Sequence, residues 1–367
     1  MDIFSYQNFY KLLFFMFIIL KINSKEVELT IQGKVYTISS ENVIDEDTEL
    51  KSGEYISTSL EEPVIIVRGE SLLQIKNENI LIKKVVDTSN SQLDAEKQKL
   101  GLYSAIIALG SSTIEIETAA IETNCNGCIG ITVLENAKVN FYDGNILTHE
   151  DNSPAIYLNF GGELLSDSIT LSTDKNYSPC ISLLGQSKIT ISNSHFNTKG
   201  TNSELFYSEG NAFIASSDGK AEKSNIVISK VIDDSSQFVL SDCEIEGLEG
   251  VKIYSEQSIT SSGQFNVLET KLTLNNENSD IPMFEIIDST MDFTFDTSEF
   301  NIKNEFLMNA KGSDELKNGA QVTVNVEGLT VNGRVKADSQ SNVHFNLQSQ
   351  LSSSGIKGEG NVNIDNN

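Results

Sequence analysis

Five consecutive segments of this chain, beginning at Ser104, Ile129, Pro154, Pro179 and Glu204, align without a gap at a spacing of 25 residues. Their third position reads Ile106, Ile131, Ile156, Ile181 and Phe206, and their fifth reads Ala108, Val133, Leu158, Leu183 and Ser208. The eleventh gives Ile114, Val139, Leu164, Ile189 and Ile214, and the eighteenth gives Ile121, Ile146, Leu171, Phe196 and Ala221. The twentieth is Thr123, Thr148, Thr173 and Thr198. Several columns agreeing at one period indicate a solenoid. A unit this short cannot bury its own apolar face and must stack on copies of itself.

Within each unit the apolar residues alternate in short pairs, such as Ile114/Ile116 and Ile189/Ile191, among polar neighbours. That period of two, with β-branched residues, predicts strands with one face inward. Gly110, Asn136, Gly161-Gly162, Gly185 and Asn211 separate the pairs and suit turns. The predicted fold is therefore all-β: a right-handed parallel β-helix with coils of about 25 residues, its columns forming internal aliphatic ladders. Burying one such Ile or Leu stabilises by roughly 1.5–3 kcal/mol. The Thr column suits a ladder of hydroxyls at a strand edge, or simply a β preference.

The pattern also appears at Ile65, Val67, Leu73, Ile75 and Ile80, and again at Phe284/Ile286, Phe293/Phe295, Val322/Val324, Val335/Ala337 and Val343/Phe345/Leu347. These positions predict a β-helix over residues 61–350, interrupted by an insertion at 83–103 that carries one short helix. Residues 25–60 suit an N-terminal cap and 351–367 a C-terminal tail. Residues 215–265 are the least regular. Roughly 11 to 13 coils at about 4.8 Å each make a rod on the order of 60 Å long.

Segments such as Pro154-Ala155-Ile156-Tyr157 and Ile189-Thr190-Ile191-Ser192-Asn193-Ser194-His195-Phe196-Asn197 resemble the repeats of right-handed parallel β-helix proteins. They are most similar to polymorphic outer-membrane-protein passenger repeats, with GGAI-type and FxxN-type segments. Pro154-Ala155-Ile156 lacks the glycine pair, and Phe196-Asn197-Thr198-Lys199 lacks the second asparagine. The resemblance covers about residues 61–350. It implies the pectate-lyase-like (pectin lyase-like) fold and, by analogy, an adhesin-like surface role.

Lys11 precedes the apolar run LLFFMFIIL at residues 12–20, and Lys21, Ile22, Asn23 and Ser24 follow. The run falls short of the roughly 20 apolar residues of a membrane span, so residues 1–24 are expected to be a signal peptide cleaved after Ser24. The protein is then secreted to the extracellular space or held at the cell surface, with no membrane span after signal removal. The polar ending at 361–367 does not fit a hydrophobic-tail anchor signal. An oxidising compartment makes Cys125-Asn126-Gly127-Cys128 a disulfide candidate, whereas Cys180 and Cys243 suit small buried residues. Asn176-Tyr177-Ser178 is a glycosylation acceptor, so Asn176 is the glycosylation candidate.

The chain is strongly acidic, with 52 Asp and Glu against 26 Lys and Arg, and Arg68 and Arg334 are its only arginines. Nucleic acid is excluded as a partner on that charge. Carbohydrate or a cell-surface protein is the expected partner. A glycoside hydrolase of this fold needs convergent carboxylates, usually with a His and a basic clamp. Asp233-Asp234 is the only adjacent Asp pair, and His149, His195 and His344 have unrelated neighbours. His149 and His195 are expected in turns. Tyr142, Tyr157, Tyr207 and Tyr254 could stack on sugar rings. No catalytic residue, metal site or cofactor is assigned. The expected function is a binding, adhesin-like or structural scaffold; the alternative is a polysaccharide lyase or glycoside hydrolase whose acids converge beside the insertion.

Overall fold

The computed structural model describes residues 25–50, 52–76, 80–88, 92–233, 236–256, 262–316, 318–348 and 353–366. The leader expected over 1–24, and Asp234 of the aspartate pair, lie outside the described residues. The chain winds into a right-handed parallel β-helix of about 12 coils. Each coil has three strands, each paired in parallel with its counterpart one coil away. On the first flank Ile131 faces Ile106 and Ile156. On the second Val139 faces Ile114 and Leu164. On the third Ile146 faces Ile121 and Leu171. All of these side chains are buried in one continuous core.

The second and third flanks alternate between buried and solvated residues, as in Lys138–Tyr142 and Asn145–Thr148. The first flank differs at its N-terminal end, where every residue of Ile106–Leu109 and Ile131–Leu134 is buried. The reason is a hairpin of β1 (Lys25–Ile31) and β2 (Lys34–Ser40), joined through Gln32 and Gly33 at φ 49° and 77°. Both turn residues sit in the left-handed region that a tight hairpin requires. Val27, Leu29, Ile31, Tyr36 and Ile38 pack on the outer side chains Ile66, Ile107, Leu134 and Tyr157. The hairpin thus covers a flank and not the end of the rod. The coil stack itself begins with Asn42–Ile44, Thr48–Leu50 and Gly53–Ser57, inside the region expected to be a cap. At the other end Ser353–Glu359 and Val362–Asn366 extend two sheets in register, where a tail was expected.

The insertion lies at the corner between the third and first flanks. Strand Ile80–Val85 runs into the range expected for it, so the excursion starts after Val85. Its helix, α1 (Ala95–Lys99), is capped by Asp94, whose side chain accepts from the Glu96 and Lys97 amides. Among the described residues no helix is long and apolar enough to cross a membrane.

Two sequence-based alignments need correction. The coil after Glu204 is shorter by two residues at its first corner, so Ile189 pairs with Ala212, and Ile214 pairs with Ile191. Phe196 then pairs with Gly219, and Thr198 with Ala221. The Thr column does not form a ladder of hydroxyls. Thr123, Thr148 and Thr173 each donate to the carbonyl five residues ahead, on Cys128, Ser153 and Ser178, and so brace their own turns. Serines do form a ladder: Ser178 and Ser203 accept from the amides of Ser153 and Ser178 one coil earlier.

Candidate functional site

The outward column of the first flank reads Ile66, Ile107, Thr132, Tyr157, Ser182, Tyr207, Ile228 and Lys252. The hairpin covers it as far as Tyr157. Beyond, the flank opens into a groove of about 530 Å³ between the α1 corner and Tyr254. That volume is within the range of small-molecule sites. Tyr157 and Tyr207 stand two coils apart, about 9.6 Å by strand spacing, with Ser182 between them. Pro154 and Pro179 form one side with Tyr177, and Leu184 and Ile228 extend the apolar lining.

Hydrogen bonds hold the tyrosines in place. The Tyr157 hydroxyl donates to the Lys99 carbonyl at 2.7 Å and accepts from the Asn159 amide at 2.9 Å. The Tyr207 hydroxyl donates to Glu209 at 3.2 Å and lies 3.3 Å from the Tyr254 hydroxyl. Burial pushes the Tyr157 phenol up to about 12, and burial with the Tyr254 and Glu209 contacts raises Tyr207. Both rings are therefore neutral and fixed. Glu209 is itself held by the Gly185 amide and Lys230.

Three of the four tyrosines selected from sequence, Tyr157, Tyr207 and Tyr254, meet in this groove. Tyr142 does not; it ends an exposed row on the second flank. Sequence reasoning missed Tyr177 and Glu204. Tyr177 was visible only as the middle of the Asn176 acceptor motif, and it sits at a corner with φ 55°. Glu204 heads its repeat at the position held by Ile129, Pro154 and Pro179, and that break in an apolar column was its signal. The residue is 6% exposed. Burial pushes its carboxyl up to about 7, opposed only by its own amide.

Asn176 borders the groove through Tyr177. Its side-chain oxygen accepts from the Thr201 amide and hydroxyl at 3.0 and 2.9 Å, and the Ser178 hydroxyl donates to the carbonyls of Glu150 and Asn176. Cys125 and Cys128 are joined across their turn, Cα atoms 5.3 Å apart. They pack with Tyr103 under the insertion. Cys180 and Cys243 are buried thiols, and burial raises both. Lys84 occupies the Thr column one coil before Thr123, fully buried. Its ammonium donates to the Leu60 and Glu62 carbonyls, and burial pulls it down to about 7.

The acids nearest the insertion have other work. Glu96 meets Lys34 and Tyr36, Glu61 meets Lys97, and Asp94 caps the helix. Arg68 forms a two-point pair with Asp45, and Arg334 stacks 3.9 Å over Phe306. Of the two histidines expected in turns, His195 lies on a flank, whereas His149 stands where a strand gives way to a corner. His195 begins strand His195–Thr198 and contacts Asp218, and His149 directly follows Asn145–Thr148. His149 joins Glu122 at 3.3 Å and Asp174 at 2.7 Å in a row continued by Lys83 and Lys199. Such surface pairs are each worth about 0–1 kcal/mol. His344 pairs with Asp365 at 3.3 Å. Among the described residues no group of three His, Cys, Asp or Glu is placed to hold a metal. No family model matches the sequence, and no curated protein matches it at a significant level.

Proposed function

We propose that this protein is an exported β-helix, extracellular or surface-held, that binds carbohydrate in the tyrosine groove of its first flank. One observation carries this: Tyr177, Tyr207 and Tyr254 share a single open groove with Ser182 and Asn202, and the buried Tyr157 closes its end. Aromatic faces take up the apolar faces of sugar rings, and the polar groups beside them orient the hydroxyls. Braced rings lose little freedom on binding. Hydrolysis has less support. Glu204 is the groove's carboxylate, and Glu209 lies at the far end of strand Phe206–Ser208. Glu209 is occupied by Lys230, Tyr207 and the Gly185 amide, so it does not supply the second free carboxylate that a paired-acid glycosidase needs.

The test is calorimetry of residues 25–367 with neutral and charged oligosaccharides, run beside an assay for new chain ends. Binding without cleavage is expected. Tyr207→Ala should weaken it at least about tenfold, a loss of about 1.4 kcal/mol, with an unchanged circular dichroism spectrum. Cleavage, or binding indifferent to Tyr207→Ala, would sink the proposal. Export is tested separately: the protein recovered outside the cell should begin at Lys25.

A further inference from the structure

We propose that the sugar taken by this groove carries free amines, a deacetylated hexosamine oligomer whose ammonium group is received by the Glu204 carboxylate. This rests on the carbohydrate-binding proposal and specifies its ligand.

Glu204 is the only carboxylate lining the groove among the described residues. It stands at the point held by Ile129, Pro154 and Pro179 in the preceding coils, so the side toward them is apolar, and Asn202 lines the groove beside it. No side-chain donor meets it among the described residues. Lys99 and Lys252 line the same groove, yet neither offsets its burial. Glu209, the nearby acid on the other side of the flank, is taken by Lys230, Tyr207 and the Gly185 amide. A carboxyl buried with only its own amide for a partner is costly to ionise. An arriving ammonium supplies the missing charge and donors at once.

The tyrosines and the long-range charge favour the same ligand class, against the two lysines of the lining. Tyrosine faces attract cations as well as sugar rings. The chain's net charge of -26 draws polycations toward the rod and repels uronates. An N-acetylated sugar offers Glu204 only an amide N–H. An acidic sugar meets a second carboxyl.

The experiment titrates the protein at pH 6 and about 0.15 M salt with hexosamine oligomers of one length, fully deacetylated or fully N-acetylated. Oligogalacturonate is the third ligand. The deacetylated oligomer should bind at least tenfold more tightly than the acetylated one, and the uronate should not bind. Glu204→Gln should remove that preference, so that the two oligomers bind alike, whereas Tyr207→Ala weakens both and leaves the preference in place. Wild type should release a proton on binding the amine, read from heats in two buffers of different ionisation enthalpy; Glu204→Gln should not. Glu204→Gln keeps the shape of the protonated side chain and cannot ionise, so it is expected to fold. An amine preference that survives Glu204→Gln would overturn the inference, leaving the general surface charge as its cause. Equal binding of both oligomers with dependence on Tyr207 would overturn the amine inference alone. No binding by either would overturn the carbohydrate proposal with it.

Discussion

The coils of residues 104–203 and those of residues 206–302 share one backbone plan but build their interiors differently. In the first block the spacing is constant and the core is aliphatic: Ile106, Ile131, Ile156 and Ile181 stack on one another, each fully buried. In the second the spacing runs from 21 residues, Ser203 to Ser224, to 33, Val251 to Phe284. Its core is phenylalanine. Phe206, Phe238 and Phe265 follow one another at 5.7 and 5.2 Å, met at 4.9 Å by Phe196 from the end of the first block, and Phe284, Phe295 and Phe300 continue at 5.2 and 4.8 Å.

Rings fill three successive levels of the second flank, at Phe238, Phe265 and Phe293, and small residues make room for others at the seam. Ala212 precedes Phe238 on the second flank, and Gly219 follows Phe196 on the third. A Cβ at Gly219 would lie 2.9 Å from Leu205 and 3.2 Å from Phe196. The ladder is a backbone property and tolerates this exchange. The repeat in the sequence is a property of like side chains stacked on like, and it fades wherever large–small interlocking replaces them.

The largest test of the contrast is Ile156→Asp. An unpaired charge at a fully buried ladder position should cost on the order of 5 kcal/mol or more. Limited proteolysis should open the regular block first, because each coil leans on its neighbours. A soluble variant melting like wild type would contradict the inward ladder. Next is Glu204, at the seam of the two blocks. Its carboxyl stays protonated in the folded protein up to about 7 but ionises from about 4.3 in the unfolded chain. Its contribution to stability is full below that lower value and is lost as pH rises through the upper one, on the order of 3 kcal/mol. Chemical denaturation of wild type and Glu204→Gln from pH 4 to 8 should show the wild type losing ground to the variant; parallel curves would refute the shift.

Smaller effects separate the blocks at their corners. Thr148→Val leaves the Ser153 carbonyl without its donor and should cost about 1–2 kcal/mol. Thr198, at the edge of the regular block, is buried without a partner, so Thr198→Val should be neutral or stabilising. Equal losses would mean the turns are braced in some other way. Smallest is the coupling within each core. Phe238→Leu and Phe265→Leu should couple by about 1 kcal/mol because their rings stack. Ile131→Val and Ile156→Val, in contact but without rings, should couple more weakly, by about 0.5 kcal/mol. Comparable couplings would erase the distinction.

Where side chains repeat, the chain was legible. Strands Ile106–Leu109, Thr113–Ile116 and their successors fall on the columns read from residues 104–203. Legibility ended at the coil after Glu204, where a two-residue shortening at a corner leaves alternation intact yet shifts the register. It ended again at Asp218–Lys230 and Glu244–Tyr254, which pass a corner as unbroken strands where turn residues had been the guide. The groove was half legible. Tyrosine chemistry marked Tyr157, Tyr207 and Tyr254, but nothing local separates them from Tyr142.

The sequence by itself determined the solenoid, since a short apolar period has only one way to hide its strands from water, and it determined the acidic charge of the rod. Tertiary structure alone decided which flank is open. The hairpin of residues 25–40 lies across Ile66 and Ile107 and stops at Tyr157. That docking joins residues far apart in the chain, and it leaves Tyr207, Tyr254 and Glu204 beyond its edge. Their common groove is a matter of coil stacking, which brings together residues about 25 or 50 positions apart that no local pattern connects.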